Sequence, residues 1–270
     1  MLWIEAVREL SADLPETFAL EFVCRDLHEL SKLDWLNLQR EEISDESLKQ
    51  LTEIAVRLKN NEPPQYIVGW AEFFDLKFKV DSRVLIPRPE TEELVRMILS
   101  ENPDEKLKVL DIGTGSGAIA TSLAKNRPNW QVTASDISAD ALDLATDNAT
   151  DNAVSVDFVQ SDVLEQLTEQ FDLIVSNPPY IARTDSDEVD ASVKKFEPDN
   201  ALFAANDGLA IYEKIAEQAP QRLTENGKIY LEIGYKQGQS VSQLFQKAFP
   251  EKTVSVHQDS FGKDRMVSVE

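Results

Sequence analysis

The chain has 270 residues and a formal net charge of −22, and 42% of its residues are hydrophobic. This length and composition suit a globular protein with one large domain, or with a main domain and a small one. The acidic charge disfavours direct nucleic-acid binding, because non-specific affinity for a phosphate backbone depends on Lys and Arg side chains.

We expect neither a membrane segment nor a metal site. No apolar run approaches the roughly 20 residues that cross a bilayer, and the segment MLWIEAVREL lacks the basic and apolar regions of a signal peptide. The single cysteine, Cys24, cannot form an internal disulfide, which favours a reducing cytoplasm. The two histidines, His28 and His257, lie in no motif with metal-ligand spacing.

Residues 1–62 are predicted to form a small helical bundle. The segment LPETFALEFVCRDLHEL places Phe18, Phe22 and Leu30 at helical spacings. In the segment that follows, Ser44 is a candidate N-cap, and apolar residues recur at every third or fourth position until a Pro-Pro pair forbids continuation.

Residues 63–90 are predicted to form a β-hairpin linker. The segment QYIVGWAEFF is aromatic and β-prone. In DLKFKVD, Leu76, Phe78 and Val80 alternate with lysines, which is typical of a strand with one buried face. A helix is predicted after IPRPETEE.

Residues 91–270 alternate between strand and helix patterns. LKVLDIG, WQVTASD, VDFVQSD, FDLIVSN and KIYLEIG are predicted strands, and TVSVHQD and RMVSVE close the chain as two more. This order predicts a doubly wound, mainly parallel α/β domain with a seven-stranded sheet. The last two strands lack an intervening helix, so we expect them to pair as an antiparallel hairpin at the sheet edge.

A glycine-rich loop, in DIGTGSGAIA, lies between the first of these strands and its helix. Gly113, Gly115 and Gly117 remove side chains where the backbone must turn and approach a ligand, and the helix start offers free N–H groups. The next strand ends in Asp136, an acid placed to accept hydrogen bonds from ribose hydroxyls. Loop and acid fit S-adenosylmethionine or NAD, and we favour the former.

The strand FDLIVSN leads into Asn177-Pro178-Pro179-Tyr180, at the sheet edge where such folds bind ligands. The side-chain oxygen of Asn177 and the carbonyl of Pro178 are two acceptors with restricted geometry, and Tyr180 offers an aromatic face. Two acceptors beside a ring suit a planar NH2 group.

Together these motifs resemble the amino-group methyltransferases. The wider set QYIVGWAEFF, VLIPRPETEELV, SNPPYI, EPDNALFAANDGL and YLEIGYKQG resembles the protein N5-glutamine methyltransferase family over nearly the whole chain. The similarity is greatest to members that act on peptide chain release factors. It implies an enzyme that transfers a methyl group from S-adenosyl-L-methionine to the glutamine of the Gly-Gly-Gln motif in class 1 release factors, leaving S-adenosyl-L-homocysteine.

The resemblance also assigns roles to individual residues. It implies a cofactor site of Gly113, Thr114, Gly115, Ser116, Gly117, Asp136, Val163 and Asn177. It implies a substrate site of Asn177, Pro178, Pro179, Tyr180, Arg88 and Glu90, in which Asn177, Pro178 and Tyr180 are catalytic. Some members have an aromatic residue where this chain has Val163, so its predicted contact with adenine is apolar packing. We further expect residues 1–62 to bind the protein substrate and residues 91–270 to perform the transfer.

Other functions fit parts of the sequence. A ribosomal-protein glutamine methyltransferase is the nearest alternative, and a DNA adenine-N6 methyltransferase uses similar motifs but conflicts with the charge of −22. An NAD-dependent dehydrogenase and a non-catalytic binding protein are disfavoured by the Asn-Pro-Pro-Tyr segment. The acidic stretch 185–199 is interpreted either as a solvated loop or as a flap that faces the substrate.

Overall fold

The computed structural model describes residues 1–270, which form two compact units. The first unit comprises Met1–Trp70 and Val189–Glu197, and the second comprises Ala71–Glu188 and Pro198–Glu270. The boundary after Trp70 therefore falls inside the segment predicted as a linker. Part of the acidic stretch, Val189–Glu197, clusters with the first unit, although the sequence gives no sign of this long-range association.

The chain contains helices, strands and two short 3-10 turns, at Arg183–Glu188 and Ala219–Gln221. The helices are α1 (Trp3–Ser11), α2 (Ala19–Leu27), α3 (Lys32–Leu38), α4 (Asp45–Lys59), α5 (Pro64–Val68), α6 (Pro89–Glu101), α7 (Ala118–Asn126), α8 (Ala139–Asp151), α9 (Ala191–Phe196), α10 (Asp199–Leu202), α11 (Ala210–Gln218) and α12 (Gly238–Ala248). The strands are β1 (Trp70–Phe73), β2 (Leu76–Lys79), β3 (Lys108–Ile112), β4 (Gln131–Asp136), β5 (Asp157–Gln160), β6 (Phe171–Ser176), β7 (Ile181–Ala182), β8 (Phe203–Ala204), β9 (Leu223–Glu232), β10 (Val254–Gln258) and β11 (Asp264–Val269). No helix combines the length and the apolar character that crossing a membrane requires.

The first unit is helical, as the sequence predicts. Ser44 caps α4, since its Oγ accepts a hydrogen bond from the backbone N–H of Ser47 at 3.1 Å. One prediction is wrong in detail: α2 excludes Phe18 and Leu30, and the Phe18 side chain is 66% exposed. The helix ends earlier than the apolar spacing suggests, because Glu29 adopts a left-handed backbone with φ 52°.

The segment after α4 is partly helical, although its sequence was interpreted as β-prone. Its first part forms the short helix α5, because Pro63 and Pro64 fix φ angles that suit a helix start and Gly69, at φ 80°, ends the helix in the left-handed region. The predicted hairpin is confirmed for β1 and β2. They are joined by Phe74 and Asp75, both with positive φ, as a two-residue hairpin turn requires.

The second unit contains the predicted seven-stranded sheet, in the order β10-β11-β9-β6-β3-β4-β5. Strands β3, β4, β5, β6 and β9 are parallel, whereas β10 and β11 form the antiparallel hairpin at one edge. Alternate residues of β3 enter two separate hydrophobic clusters: Leu110 belongs to one and Val109 to the other. Both faces of the central strand are therefore buried, as expected for a doubly wound sheet.

The strand order reverses at β3, which pairs with β4 on one side and with β6 on the other. In this arrangement the loops after β4, β3 and β6 follow one another along the carboxyl edge of the sheet. Ligands in doubly wound folds bind at such a point.

Candidate active site

The loop after β3 is built from left-handed backbone. Gly113, Gly115 and Gly117 have φ angles of 69°, 54° and 78°. Gly117 precedes the first residue of α7, and a Cβ built there would lie 3.0 Å from Cβ of Ala145. Glycine is therefore required at this position both for its backbone angle and for the close approach of α8.

Asp136, at the end of β4, has a fixed orientation. Its Oδ2 accepts a hydrogen bond from the backbone N–H of Gly115 at 2.9 Å, and its Oδ1 accepts one from Ser138 at 2.9 Å. Burial raises the pKa of this carboxyl above its usual value, while these hydrogen bonds lower it. Each oxygen retains a lone pair for a ligand hydroxyl.

A second acid, Asp111, holds the loop from inside. Its Oδ2 accepts hydrogen bonds from the Thr114 hydroxyl at 2.6 Å and from the backbone N–H of Ala120 at 3.2 Å. Burial raises the pKa of Asp111 to about 7, and its Oδ1 has no hydrogen-bond partner. Asp111 thus ties the start of the loop to the first turn of α7.

The Asn-Pro-Pro-Tyr segment begins directly after β6. The Ser176 hydroxyl donates to the backbone carbonyl of Ile112 at 2.8 Å, which fastens the end of β6 to the end of β3. The next side chain, Asn177, donates from Nδ2 to Oγ1 of Thr91 at 3.1 Å. Because Nδ2 is engaged in this way, Oδ1 is the end of the amide that remains for a ligand.

Tyr180 is fixed through its backbone. Its carbonyl accepts a hydrogen bond from Nε2 of Gln237 at 3.0 Å, and a Cβ built on Gly208 would lie only 2.1 Å from that oxygen. Burial raises the pKa of the Tyr180 hydroxyl to about 12, so it remains protonated at neutral pH. The end of the segment is therefore packed tightly against its neighbours.

A cavity of about 170 Å³ opens between these loops. A single buried water needs roughly 10–15 Å³ on this scale, so the cavity has room for a much larger ligand. The glycine loop, Asp136 and Asn177 all line it, together with the apolar side chains of Ile137 and Val163. The arrangement combines the carboxyl of Asp136 with the side-chain amide of Asn177. The free N–H groups expected in the glycine loop are not found at Gly113, Thr114 and Gly117, whose N–H groups donate to backbone carbonyls of the protein itself.

Comparison with known proteins identifies the family. The family described as Methyltransferase small domain matches residues 90–196, and the PrmC N-terminal domain matches residues 2–69. The release factor glutamine methyltransferase of Lactococcus lactis subsp. lactis (strain IL1403) is 68% identical over 269 residues, covering 100% of both chains. The corresponding protein of Streptococcus pneumoniae (strain ATCC BAA-255 / R6) is 53% identical, covering 97% of this chain and 94% of its own.

The chain belongs to the release factor glutamine methyltransferase family. It is accordingly an S-adenosylmethionine-dependent glutamine methyltransferase. A solved methyltransferase from Pyrococcus furiosus supports the fold alone, with a TM-score of 0.55, 21% identity, and coverage of 73% of this chain and 89% of the other.

In this methyltransferase, most of the residues predicted from the sequence lie around one cavity. Those that line it are Gly113, Thr114, Gly115, Ser116, Asp136, Val163, Asn177, Pro178, Pro179 and Arg88. Gly117, Tyr180 and Glu90 do not line it: Gly117 packs against α8, Tyr180 packs against the hydrophobic core, and Glu90 lies half-buried in the first turn of α6.

Val163 has an unusual backbone. It is buried, lines the cavity, and has a φ of 55°, which is strained for a β-branched residue. Strain of this kind persists where surrounding structure enforces it and is common around binding sites. The sequence-based prediction singled out Val163 only through the family resemblance, since no local pattern indicates a left-handed valine.

Sequence reasoning missed two residues that act on Asn177. Thr91 lies within VLIPRPETEELV, a segment that contributes only to the family resemblance, yet its hydroxyl is the partner of Asn177. Glu232, only 2% exposed, accepts a hydrogen bond from that same hydroxyl at 2.6 Å. An acid inside the apolar strand IYLEIG was the available signal, because buried acids are rare unless they are paired or functional.

Proposed function

We propose that this enzyme methylates the side-chain amide N5 of the glutamine in the Gly-Gly-Gln motif of class 1 peptide chain release factors, with S-adenosyl-L-methionine as donor. The observation that carries the proposal is Asn177, whose Nδ2 is held by Thr91 at 3.1 Å while Oδ1 is left for a ligand in the cavity. The names and full-length similarity of the relatives support the choice of release factors.

The residues around the cavity fit the proposed cofactor. Asp136 would accept hydrogen bonds from the ribose hydroxyls, because its carboxyl is both oriented and exposed to the cavity. Ile137 and Val163 offer apolar surface for the adenine ring. When bound, S-adenosylmethionine supplies an electrophilic methyl group on a positively charged sulfur.

The remaining task of the protein is to orient a poor nucleophile. The lone pair of an amide nitrogen is delocalised into its carbonyl, so the nitrogen must be held in a favourable geometry. We assign acceptance of the two amide hydrogens to Oδ1 of Asn177 and the carbonyl of Pro178, whose backbone is restrained by the ring of Pro178 and by the following Pro179. Two aligned acceptors also stabilise positive charge as it develops on nitrogen.

Other predicted substrate contacts complete the proposal. Arg88, which lines the cavity, would contact the polypeptide around the glutamine, whereas Tyr180, packed against the hydrophobic core, would support the Asn-Pro-Pro-Tyr segment from behind. No general base is required, because the nitrogen becomes acidic once it is alkylated and its proton then leaves readily. Orientation of this kind contributes roughly 7–11 kcal/mol to lowering a barrier in favourable cases.

We assign recognition of the release factor to the helical first unit. Exposed apolar side chains occur there, including Leu33 at 67% and Leu36 at 56% exposure on α3. The net charge of −22 would attract a basic partner and repel nucleic acid. The reaction would take place in the cytoplasm, where release factors act and where the single Cys24 stays reduced.

A methyl-transfer assay tests this function directly. Purified release factor, its variant with the motif glutamine replaced by alanine, a ribosomal protein and duplex DNA would be offered in parallel with labelled S-adenosylmethionine. We expect label in intact release factor only, with mass spectrometry locating one methyl group on the motif glutamine. Preferential labelling of ribosomal protein or DNA would contradict the proposal.

A further inference from the structure

Glu232 lies beside the proposed transfer site although it is far from it in sequence. It is the last residue of β9, and in the parallel pairing of β6 with β9 the preceding residue, Leu231, is opposite Ser176. Glu232 is therefore level with Asn177, the residue after Ser176. The side chain of Glu232 is buried, which is costly for a carboxylate unless neighbouring groups compensate.

The Glu232 carboxyl is linked to Asn177 directly, by a side-chain hydrogen bond that lowers the pKa of Glu232, and also by a chain of two hydrogen bonds through Thr91. The Thr91 hydroxyl donates to Oε2 of Glu232 at 2.6 Å, and Nδ2 of Asn177 donates to Oγ1 of Thr91 at 3.1 Å. A hydroxyl has one hydrogen and a carboxylate has none. When Glu232 is ionised, Thr91 must therefore donate to Glu232, and it can only accept from Asn177.

This direction fixes the orientation of the Asn177 amide. Nδ2 is committed to Thr91, so Oδ1 points away from Thr91. If the carboxyl were protonated, Glu232 could donate to Thr91, and Thr91 could donate to Oδ1 of a reversed Asn177 amide. The reversed amide would offer its N–H groups to a substrate NH2 group, which needs acceptors.

We propose that Glu232 and Thr91 are positioning residues for Asn177, and that the Glu232 carboxylate keeps Oδ1 of Asn177 directed at the substrate amide. This inference rests on the proposed amide methylation, because only an NH2 substrate needs an acceptor at this point. Neither Thr91 nor Glu232 touches the reacting atoms in this scheme. Their effect passes through the side chain of Asn177.

The groups around Glu232 place its titration near neutral pH. Burial raises its pKa to about 7, and Glu90 adds to the rise, whereas the Thr91 hydroxyl, Arg265 and Asn177 lower the pKa. Arg265 is also paired with Asp259, at 3.3 Å. The two tyrosines nearby stay neutral, since burial raises the pKa of Tyr180 and of Tyr212, whose hydroxyl donates to the backbone carbonyl of Glu232 at 2.7 Å.

The sign of the pH dependence follows. The carboxylate is the form that holds Asn177 in its productive orientation, so activity is retained above the pKa of Glu232 and lost as the pH falls through it. In the free enzyme this predicts an acidic limb in kcat/KM with a midpoint near pH 7.

Enzyme kinetics with full-length variants test the positioning role. We expect Thr91→Val to lower kcat by roughly 10- to 100-fold, the cost of losing a hydrogen bond to a charged group. In Glu232→Gln the amide oxygen can still accept from Thr91, so kcat should fall less, but the titrating group is gone and the acidic limb should be lost. Thr91→Ser keeps the hydroxyl and should keep both the limb and most of the rate. The matched control is Tyr230→Phe, at a residue of the same strand as Glu232. It removes the hydrogen bonds that the Tyr230 hydroxyl accepts from Asn102 and donates to Glu101, and it should leave the profile unchanged.

A measurement without substrate separates this proposal from the proposed function. The side-chain 15N and 1H resonances of Asn177, assigned by their absence in Asn177→Ala, should shift with pH with the midpoint of Glu232 in the wild-type protein and stay constant in Glu232→Gln. Thermal unfolding and S-adenosylmethionine binding of each variant establish that it is folded.

The outcomes are distinct. Asn177 resonances that do not titrate, or a Glu232→Gln enzyme that keeps the wild-type rate and acidic limb, overturn the positioning role. Titrating Asn177 resonances in an enzyme that leaves release factor unmethylated would preserve the positioning role and overturn the proposed substrate.

Discussion

The two loops that meet at the cavity are built in different ways. The loop after β3 is held by backbone hydrogen bonds: Gly113 and Thr114 donate to the carbonyl of Ser135, and Gly115 donates to the carboxyl of Asp136, at the end of β4, at 2.9 Å. In the segment after β6, one side-chain amide matters, and its direction depends on Thr91, 86 positions away in the chain. Thr91 depends in turn on Glu232, which is separated from Thr91 by 141 positions.

We expect the two loops to differ in their sensitivity to substitution. The loop after β3 tolerates changes of side chain as long as its left-handed turns remain possible, because its hydrogen bonds are donated by backbone N–H groups, which nearly every residue type has. A relay of side chains fails when one member is lost, since a buried donor or acceptor is then left without its partner. We therefore expect changes in the β3 loop to affect binding or stability, and changes near β6 to affect turnover.

The largest effect is expected at Asn177. Asn177→Ala removes an acceptor that interacts more strongly as charge develops on nitrogen, so kcat should fall by roughly 10²–10³. The dissociation constant for S-adenosylmethionine, measured by calorimetry, should change much less. Wild-type turnover of release factor by this variant would mean that the segment is only a structural turn.

Asn177→Asp tests the acceptor role of Asn177 separately from its donor role. The carboxylate keeps an acceptor for the substrate but loses the donor to Thr91, and it adds a charge close to Glu232. We expect its kcat to lie between those of the wild-type enzyme and Asn177→Ala. A rate below that of the alanine variant would show that the added charge outweighs the acceptor.

The second effect concerns the cofactor. Asp136→Ala should weaken S-adenosylmethionine binding by about 1–3 kcal/mol, because charge-assisted hydrogen bonds to the ribose are lost. The control is Asp147→Ala, which removes the same charge from an exposed position on α8 that does not line the cavity. Equal affinities for the two variants in calorimetry would remove Asp136 from the cofactor site.

A smaller effect is expected in the backbone of the β3 loop. Gly117→Ala should lower the free energy of unfolding by about 1–2 kcal/mol, the cost of a left-handed alanine, plus the strain of a Cβ that meets Ala145 at 3.0 Å. Gly262→Ala is the matched control, because Gly262 has a φ of 76° and open space around its Cβ position. Urea denaturation that gives the same loss for both variants would exclude a role for close packing.

The smallest effect tests a surface remote from both loops in sequence. Replacing Leu33 and Leu36 by serine should raise KM for release factor by about fivefold, or about 1 kcal/mol, as is typical of interface residues outside a hot spot. Neither kcat nor cofactor affinity should change. Phe261→Ser, at an 81% exposed residue of the second unit, serves as the control. A larger rise in KM for the control would assign substrate recognition elsewhere.

Much of the architecture could be predicted from local sequence patterns. The strand and helix periodicities predict the seven-stranded sheet and its terminal hairpin, because each buried strand needs apolar residues at regular intervals. The helix α5 was not predicted, since PQYIV is a short apolar run that periodicity cannot distinguish from a strand. The association of Val189–Glu197 with the first unit was also not predicted, because it is a contact between distant parts of the chain.

Local sequence patterns were enough to identify the glycine loop, Asp136 and Asn177. A glycine loop, the acid that ends the next strand and an Asn-Pro-Pro-Tyr segment each carry their chemistry within a few adjacent residues. The orientation of the Asn177 amide is visible only in three dimensions, because it depends on Thr91 and Glu232. The pairing of β6 with β9 and the packing of α6 bring these residues together. Which group donates and which accepts depends on residues that are close in space but distant in sequence, so the spacing of residues along the chain does not reveal it.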